Sequence, residues 1–377
     1  MKKKALLLPL LYLVLSAVLM TAIATGGDSS DPLVSLSYLN STYTSIVDAK
    51  VTEKLDASDQ TLLTAFGQAS ASSAGTSAAA ASPVSSCADT WVESRFKAGD
   101  VLSGATGLNV LLLAGSVKVT FSRGTVVDAT AGSTVTNGAS LMANHRYLVA
   151  EDTSAGFTVT SKTAVVDYLG TYTLSASTSV DYNAMAAALK TMHLFQGSYT
   201  GYGSGYDLEV APTRLQALIM FIRVLGEENA ALAYTGSVPY SDVSAGSNAA
   251  KYVGYACEKG YTNGYTATLW KPAQTVNVFQ YTEFMLRALG YSSTANTDLS
   301  GTLDTAVSCS VLTSGEADAL KASKFLRADL VYISYYALDS NLSGGTETLR
   351  DVLISQGVFT SSEAENANTL VSSSRIF

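Results

Sequence analysis

Cysteine and histidine are scarce in this chain. Its 377 residues hold three cysteines, Cys87, Cys257 and Cys309, with no C-x-x-C pair. An odd, sparse set is no disulfide framework, although one bridge among the three stays open. The histidines are two, His145 and His193, and they fall in different expected domains. A histidine-based metal site or catalytic triad is therefore poorly supplied. Charge is thin as well: 14% of residues are charged, against roughly 25% in an average soluble protein. The balance is acidic, with a net charge of -8 and a pI of about 4.8. Nucleic acid and anionic membrane surfaces are disfavoured partners, because phosphate binding needs a concentrated positive field. A local basic site for an anion remains open. No H-E-x-x-H, phosphate loop or G-x-S-x-G is found. The run Gly201-Tyr202-Gly203-Ser204-Gly205 reads as a turn, since it does not follow a strand and open a helix. We therefore expect no catalytic residues, no metal and no cofactor.

What is present is apolar bulk (47%), many small and hydroxylated residues, and 21 tyrosines. Lys2, Lys3 and Lys4 precede an apolar run from Ala5 to Ala24, which ends in Ala22-Ile23-Ala24. That order predicts a cleaved signal peptide over residues 1–24, with a retained anchor as the alternative. Residues 25–66 carry loosely helical apolar spacing. Residues 67–90 are rich in Ala, Ser, Gly and Thr and read as a linker. Residues 91–177 alternate short β-branched and aromatic runs with glycine, the pattern of a small all-β module. His145-Arg146 falls here and reads as structural.

From about residue 178 the pattern turns helical and repeats. Three units are expected, at about 180–232, 238–292 and 296–340, followed by a tail over 341–377. The first helix of each unit ends near Gly197, Gly264 or Gly315. A polar loop leads to an apolar second helix, over Thr213–Arg223, Asn277–Arg287 and Leu326–Tyr336. Two of these helices close on Leu225-Gly226 and Leu289-Gly290, the pattern of a glycine stop.

This arrangement resembles an S-layer homology (SLH) region over residues 182–340. The resemblance rests on Pro212-Thr213-Arg214, on Pro239-Tyr240-Ser241-Asp242-Val243 and on Leu326-Arg327-Ala328-Asp329, which resembles the family's T-R-A-E. It implies an all-α threefold helical prism, which with the small all-β module read above makes the expected fold an α+β, multidomain one. It also implies a cell-surface protein held non-covalently by an anionic, sometimes pyruvylated, secondary cell-wall polysaccharide. Carried over by position, the binding residues are Thr213, Arg214, Arg327 and Asp329, with Gly197, Gly264 and Asp242. An arginine suits this role because its planar fork stays charged and matches a carboxylate. Trp270, with Tyr202, Tyr206 and Tyr265, is expected to stack on sugar rings. The second unit departs from the pattern, with Val278 where the arginine would stand, and Gln216 replaces the usual glutamate. Rival readings are a wall-directed hydrolase and a self-assembling surface-layer component.

Overall fold

The computed structural model describes residues 85–199, 204–293 and 295–376. The expected signal peptide, the 25–66 segment, residues 67–84 and Tyr202 lie outside the described residues. Residues 82–377 form one compact unit.

Nine strands make a single curled antiparallel sheet: β1 (Ser85–Lys97), β2 (Val101–Ala105), β3 (Asn109–Ala114), β4 (Val117–Phe121), β5 (Val126–Asp128), β6 (Ser133–Val135), β7 (Arg146–Val149), β8 (Ser154–Val159) and β9 (Thr163–Ser175). Strand β1 thus begins inside the stretch read as linker. The spatial order is β4-β8-β2-β9-β3-β7-β5-β6, with β1 on β9. Alternation sets the faces: Val117 and Val119 of β4 are buried while Lys118 and Thr120 are exposed. The buried face gathers Val110, Leu112, Val126, Val149, Phe157 and Tyr168 into one core. Strand β9 organises the curl. β1 pairs along it from Thr163 to Thr173, and its other edge passes from β3 (Val165–Leu169) to β2 (Thr173–Ser175). The switch occurs at Gly170, whose φ is 113°; a Cβ there would sit 2.9 Å from the Gly107 carbonyl oxygen. Only glycine meets both demands.

Among the described residues ten helices follow: α1 (Tyr182–Thr191), α2 (Arg214–Val224), α3 (Glu228–Leu232), α4 (Asn248–Glu258), α5 (Val278–Ala288), α6 (Thr302–Ser308), α7 (Ser314–Ala322), α8 (Arg327–Ala337), α9 (Leu349–Ser355) and α10 (Ser361–Leu370). A two-stranded ribbon, β10 (Ser198–Tyr199) with β11 (Ser204–Gly205), lies between α1 and α2. Reciprocal capping boxes start α2 (Thr213 with Gln216) and α5 (Asn277 with Gln280). The apolar faces meet in a second core around Trp270, Tyr281, Tyr332, Phe221 and Met185. Within it the Tyr281 and Ser334 hydroxyls hydrogen-bond at 2.5 Å, joining α5 to α8.

The expected α+β arrangement of a small all-β module and an all-α threefold prism is corrected by this architecture. The β part is a large nine-stranded half-barrel, extended by the thirteen-residue strands β1 and β9. The sequence reading singled out neither strand, and their polar ends are ordered by pairing with each other. The sheet is also joined to the helices: Asn183 donates to the Phe96 carbonyl at 3.3 Å, and Lys162 contacts Asp329 at 2.5 Å. Gly315 does not end a hairpin loop but lies inside α7, because Thr313 and Glu316 cap a helix there. The three apolar helices do not enclose an axis equally. α5 packs on both α2 and α8, which share no comparable interface, while α1 packs on α8 and on the tail helix α10.

Candidate functional site

A cleft of about 270 Å³ opens beside the start of α2. Its geometry is set by backbone pairing. The Arg214 N–H donates to the Gln274 carbonyl (2.7 Å), the Leu215 N–H to Pro272 (3.1 Å), and the Val276 N–H to Pro212 (3.0 Å). The loop that shares these bonds, accepting two and donating one, is fixed in turn by Asp242. Its carboxylate takes the Trp270 N–H (2.9 Å) and the Lys271 N–H (2.7 Å). Those two amides, Trp270 first, hold the Asp242 carboxyl below its usual range despite some desolvation.

On this frame Arg214 lies half-buried along one wall. Its Nε donates to the Trp270 carbonyl at 2.9 Å, and its guanidinium carbon stands 4.9 Å from the Trp270 ring centre. Burial lowers its pKa, opposed by Tyr240 and Asp242, but a guanidinium keeps its charge in a protein. Arg214 makes no ion pair among the described residues. Across the cleft, Arg287 of α5 is committed to Glu283 (3.3 Å) and to the Tyr261 and Asn296 carbonyls. The buried Glu283 carboxylate also accepts from Ser292, Asn296 and Thr302. Tyr265 lies on the rim, 54% exposed, with the Lys271 ammonium 3.5 Å from its ring centre.

A second, smaller cleft of about 170 Å³ lies beside the start of α8. Its frame repeats the first. The Arg327 N–H donates to the Val210 carbonyl (2.8 Å) and the Ala328 N–H to Leu208 (3.1 Å). Arg214 and Arg327 are each the first residue of their helix. Facing them are residues at matching places on the neighbouring helix: Gln280 and Arg287 in the first cleft, Gln216 and Arg223 in the second. Gly264 and Gly197 line the respective clefts. The charges differ. Arg327 is paired with Asp207 at 3.4 Å, and Arg223 with Glu228 at 2.6 Å.

No family model matches the chain, and no curated protein matches it. Among solved structures it is similar over a short stretch to NovW, a 4-keto-6-deoxy sugar epimerase from the novobiocin biosynthetic gene cluster of Streptomyces spheroides. The identity is 25% and the TM-score 0.11, and the match covers 24% of this chain and 45% of that one. At that TM-score the likeness assigns neither fold nor activity.

Of the residues expected from sequence, Arg214, Trp270 and Gly264 meet in the first cleft, and Arg327 and Gly197 in the second. Thr213 serves as the α2 cap, and Asp242 acts behind the wall by holding the Trp270 loop. Trp270 is wholly buried, with Arg214 over its ring, and presents no open face; Tyr265 is the exposed ring of this cleft. Tyr206 packs on Phe195 and under Arg95. Val278 is buried. His145 is held by the buried Asp128 carboxylate at 2.7 Å. The three cysteines are free thiols. The sequence reading missed Lys271, Glu283 and Arg287. Arg223 and Arg287 did carry a signal: each ends its copy of the aligned helix.

Asp329 stands in neither cleft. Its carboxylate caps the Leu326 N–H (2.9 Å) and meets Lys162 of the sheet (2.5 Å). Burial raises its pKa more than Lys162 lowers it. A raised carboxyl opposes folding increasingly as pH climbs from the unfolded value of 3.8 through the folded one. Asp329→Asn keeps an acceptor for Leu326 and removes that burden. Lys162, which is partly exposed, can hydrate. We expect the variant to stay within about 1 kcal/mol of the parent at pH 7 and to gain relative to it as pH rises from 4 to 7. Urea midpoints at the two pH values check this; a loss above about 3 kcal/mol would instead mark the pair as a structural necessity.

Proposed function

We propose that this chain is an exported cell-surface protein that holds an anionic cell-wall polysaccharide in the Arg214 cleft. Its 180–340 segment then works as an SLH-like anchor. The observation that carries the reading is the state of Arg214: half-buried, braced by backbone and by Trp270, and without a carboxylate partner among the described residues. A guanidinium so placed is ready for a planar acid group, and water is partly excluded from the contact. Tyr265 beside it supplies a rim on which the apolar face of a sugar can rest. The cleft is below the roughly 300–1,000 Å³ of a drug-sized pocket, which suits one acidic sugar unit of a chain crossing the surface. The polymer is the only partner this reading requires.

The test is sedimentation of the purified protein with isolated cell walls. Retention is expected, and it is expected to vanish once the acidic polymer is stripped. Arg214→Ala should weaken retention roughly 10- to 150-fold, since a shielded charge-assisted hydrogen bond contributes about 1.5–3 kcal/mol. Retention that survives this change in a folded variant counts decisively against the reading.

A further inference from the structure

The two clefts share a frame but not a charge, and one position accounts for the difference. Pro272 and Leu208 are the carbonyl partners of Leu215 and Ala328, the second residues of α2 and α8. The residue just before each partner is therefore at an equivalent place in the two clefts. In the first cleft it is Lys271, with φ 59°; in the second it is Asp207, with φ 51°. Both take the uncommon left-handed backbone, which confirms the register independently of the hydrogen bonds.

The consequences are opposite. Lys271 projects its ammonium onto the ring of Tyr265, a residue that lines the Arg214 cleft, so this position brings a cation to the rim of a cleft whose Arg214 has no carboxylate partner among the described residues. Asp207 projects its carboxylate to within 3.4 Å of the Arg327 Nη1, and both side chains are almost wholly buried. An arriving carboxylate would have to displace Asp207 or sit beside it in a poorly hydrated place, and like charges repel strongly there. The remaining cation of that cleft, Arg223, is tied to Glu228.

We propose that this position decides which cleft accepts an acidic sugar: the Lys271 side makes the Arg214 cleft the anion site, and Asp207 closes the Arg327 cleft to anions. The proposal rests on the anchoring reading and deepens it by naming the position, Lys271 in one cleft and Asp207 in the other, that decides which cleft takes a sugar carboxylate.

The experiment uses the full chain on immobilised polygalacturonate, with immobilised dextran as the neutral control. The parent protein is retained on polygalacturonate and passes through dextran. Arg214→Gln loses at least tenfold in retention, whereas Arg327→Gln stays within twofold of the parent. The decisive arm is the double variant Arg214→Gln with Asp207→Asn. Asparagine tolerates the left-handed backbone and releases Arg327, so retention returns to within threefold of the parent. Thermal melts confirm that each variant is folded. A loss on Arg327→Gln as large as that on Arg214→Gln overturns the proposal. So does failure of Asp207→Asn to restore retention in a folded double variant, or a parent that ignores polygalacturonate. In any of these cases Arg214-dependent sedimentation with cell walls still leaves the anchoring reading standing. Absence of wall retention removes that reading separately.

Discussion

Trp270→Ala is expected to lower the unfolding free energy by about 3–5 kcal/mol, the usual cost of truncating a buried Trp or Phe. It is the largest fully buried side chain among the described residues, and its ring has no exposed surface. Its indole N–H reaches the Thr262 hydroxyl at 3.4 Å, and its ring supports the Arg214 guanidinium. The loss is therefore double. A large cavity opens in the core, and Arg214 loses the surface that fixes its direction. A domain of this kind typically has about 5–15 kcal/mol in all, so the variant should melt far earlier and should fail to hold polysaccharide even where it is still folded. Trp270→Phe separates the two effects. It keeps a ring under Arg214 and gives up the indole bond and part of the volume, which should cost no more than about 1.5 kcal/mol. Urea denaturation of both variants is the measurement. A Trp270→Ala cost below about 1 kcal/mol would mean that the loop around it relaxes freely, and that the cleft is not the rigid frame described above.

The sequence reading reached some of this and missed the rest for definable reasons. Where apolar periodicity is local, it pointed to the right element. The β-branched and aromatic runs read over 91–177 include strands β4 and β7, and the apolar runs Thr213–Arg223 and Leu326–Tyr336 contain most of helices α2 and α8. Where structure depends on a distant partner, it failed. The polar start of β1, Ser85-Ser86-Cys87, is a strand only because it pairs with Thr171–Thr173 of β9. The threefold prism failed for a related reason. A repeated motif specifies similar helices, but not that they close evenly on one another: α8 packs closely on α1 and α5 and meets α2 only across the second cleft. The cleft was half visible. Arg214 stood out by its motif, yet Lys271 and Asp207 became comparable only once the carbonyls of Pro272 and Leu208 were seen to accept equivalent amides. No spacing in the chain announces that equivalence, because the loops that carry the two residues differ in length and composition.

Glu316→Ala should be nearly as costly as Trp270→Ala, at about 2–4 kcal/mol, because it removes a buried acceptor and leaves a buried hydroxyl unpaired, while Arg375, a third exposed, can hydrate. The Glu316 carboxylate has no exposed surface. It accepts two bonds from Arg375 at 2.7 Å, the Tyr332 hydroxyl at 2.5 Å and the Thr313 N–H at 2.7 Å. Truncation would leave the Tyr332 hydroxyl without its acceptor and release the terminal segment, which is also held by the Ile376 N–H on Tyr332. The same carboxylate predicts a pH dependence of definite sign. Burial pulls its pKa up, but Arg375, Tyr332 and Thr313 together pull it further down, so the folded value lies below the usual 4.5. A depressed carboxyl contributes its full stability above the unfolded pKa and loses it as pH falls through the folded one. The parent should therefore weaken progressively below about pH 4.5. Glu316→Gln, already uncharged, should start less stable and show a flatter acid limb. Denaturant midpoints taken from pH 7 down to pH 3 decide the matter, and parallel curves for the two proteins would show that Glu316 is not the group being titrated. The contrast with Asp329 is instructive, since both acids sit in the first turn of a helix and both contact a cation. Lys162 touches Asp329 from one side with a single ammonium, too little to offset burial, whereas Arg375 grips both oxygens of Glu316 with the help of a tyrosine. The number and geometry of the donors, more than depth, decide whether a buried carboxylate works for the fold or against it.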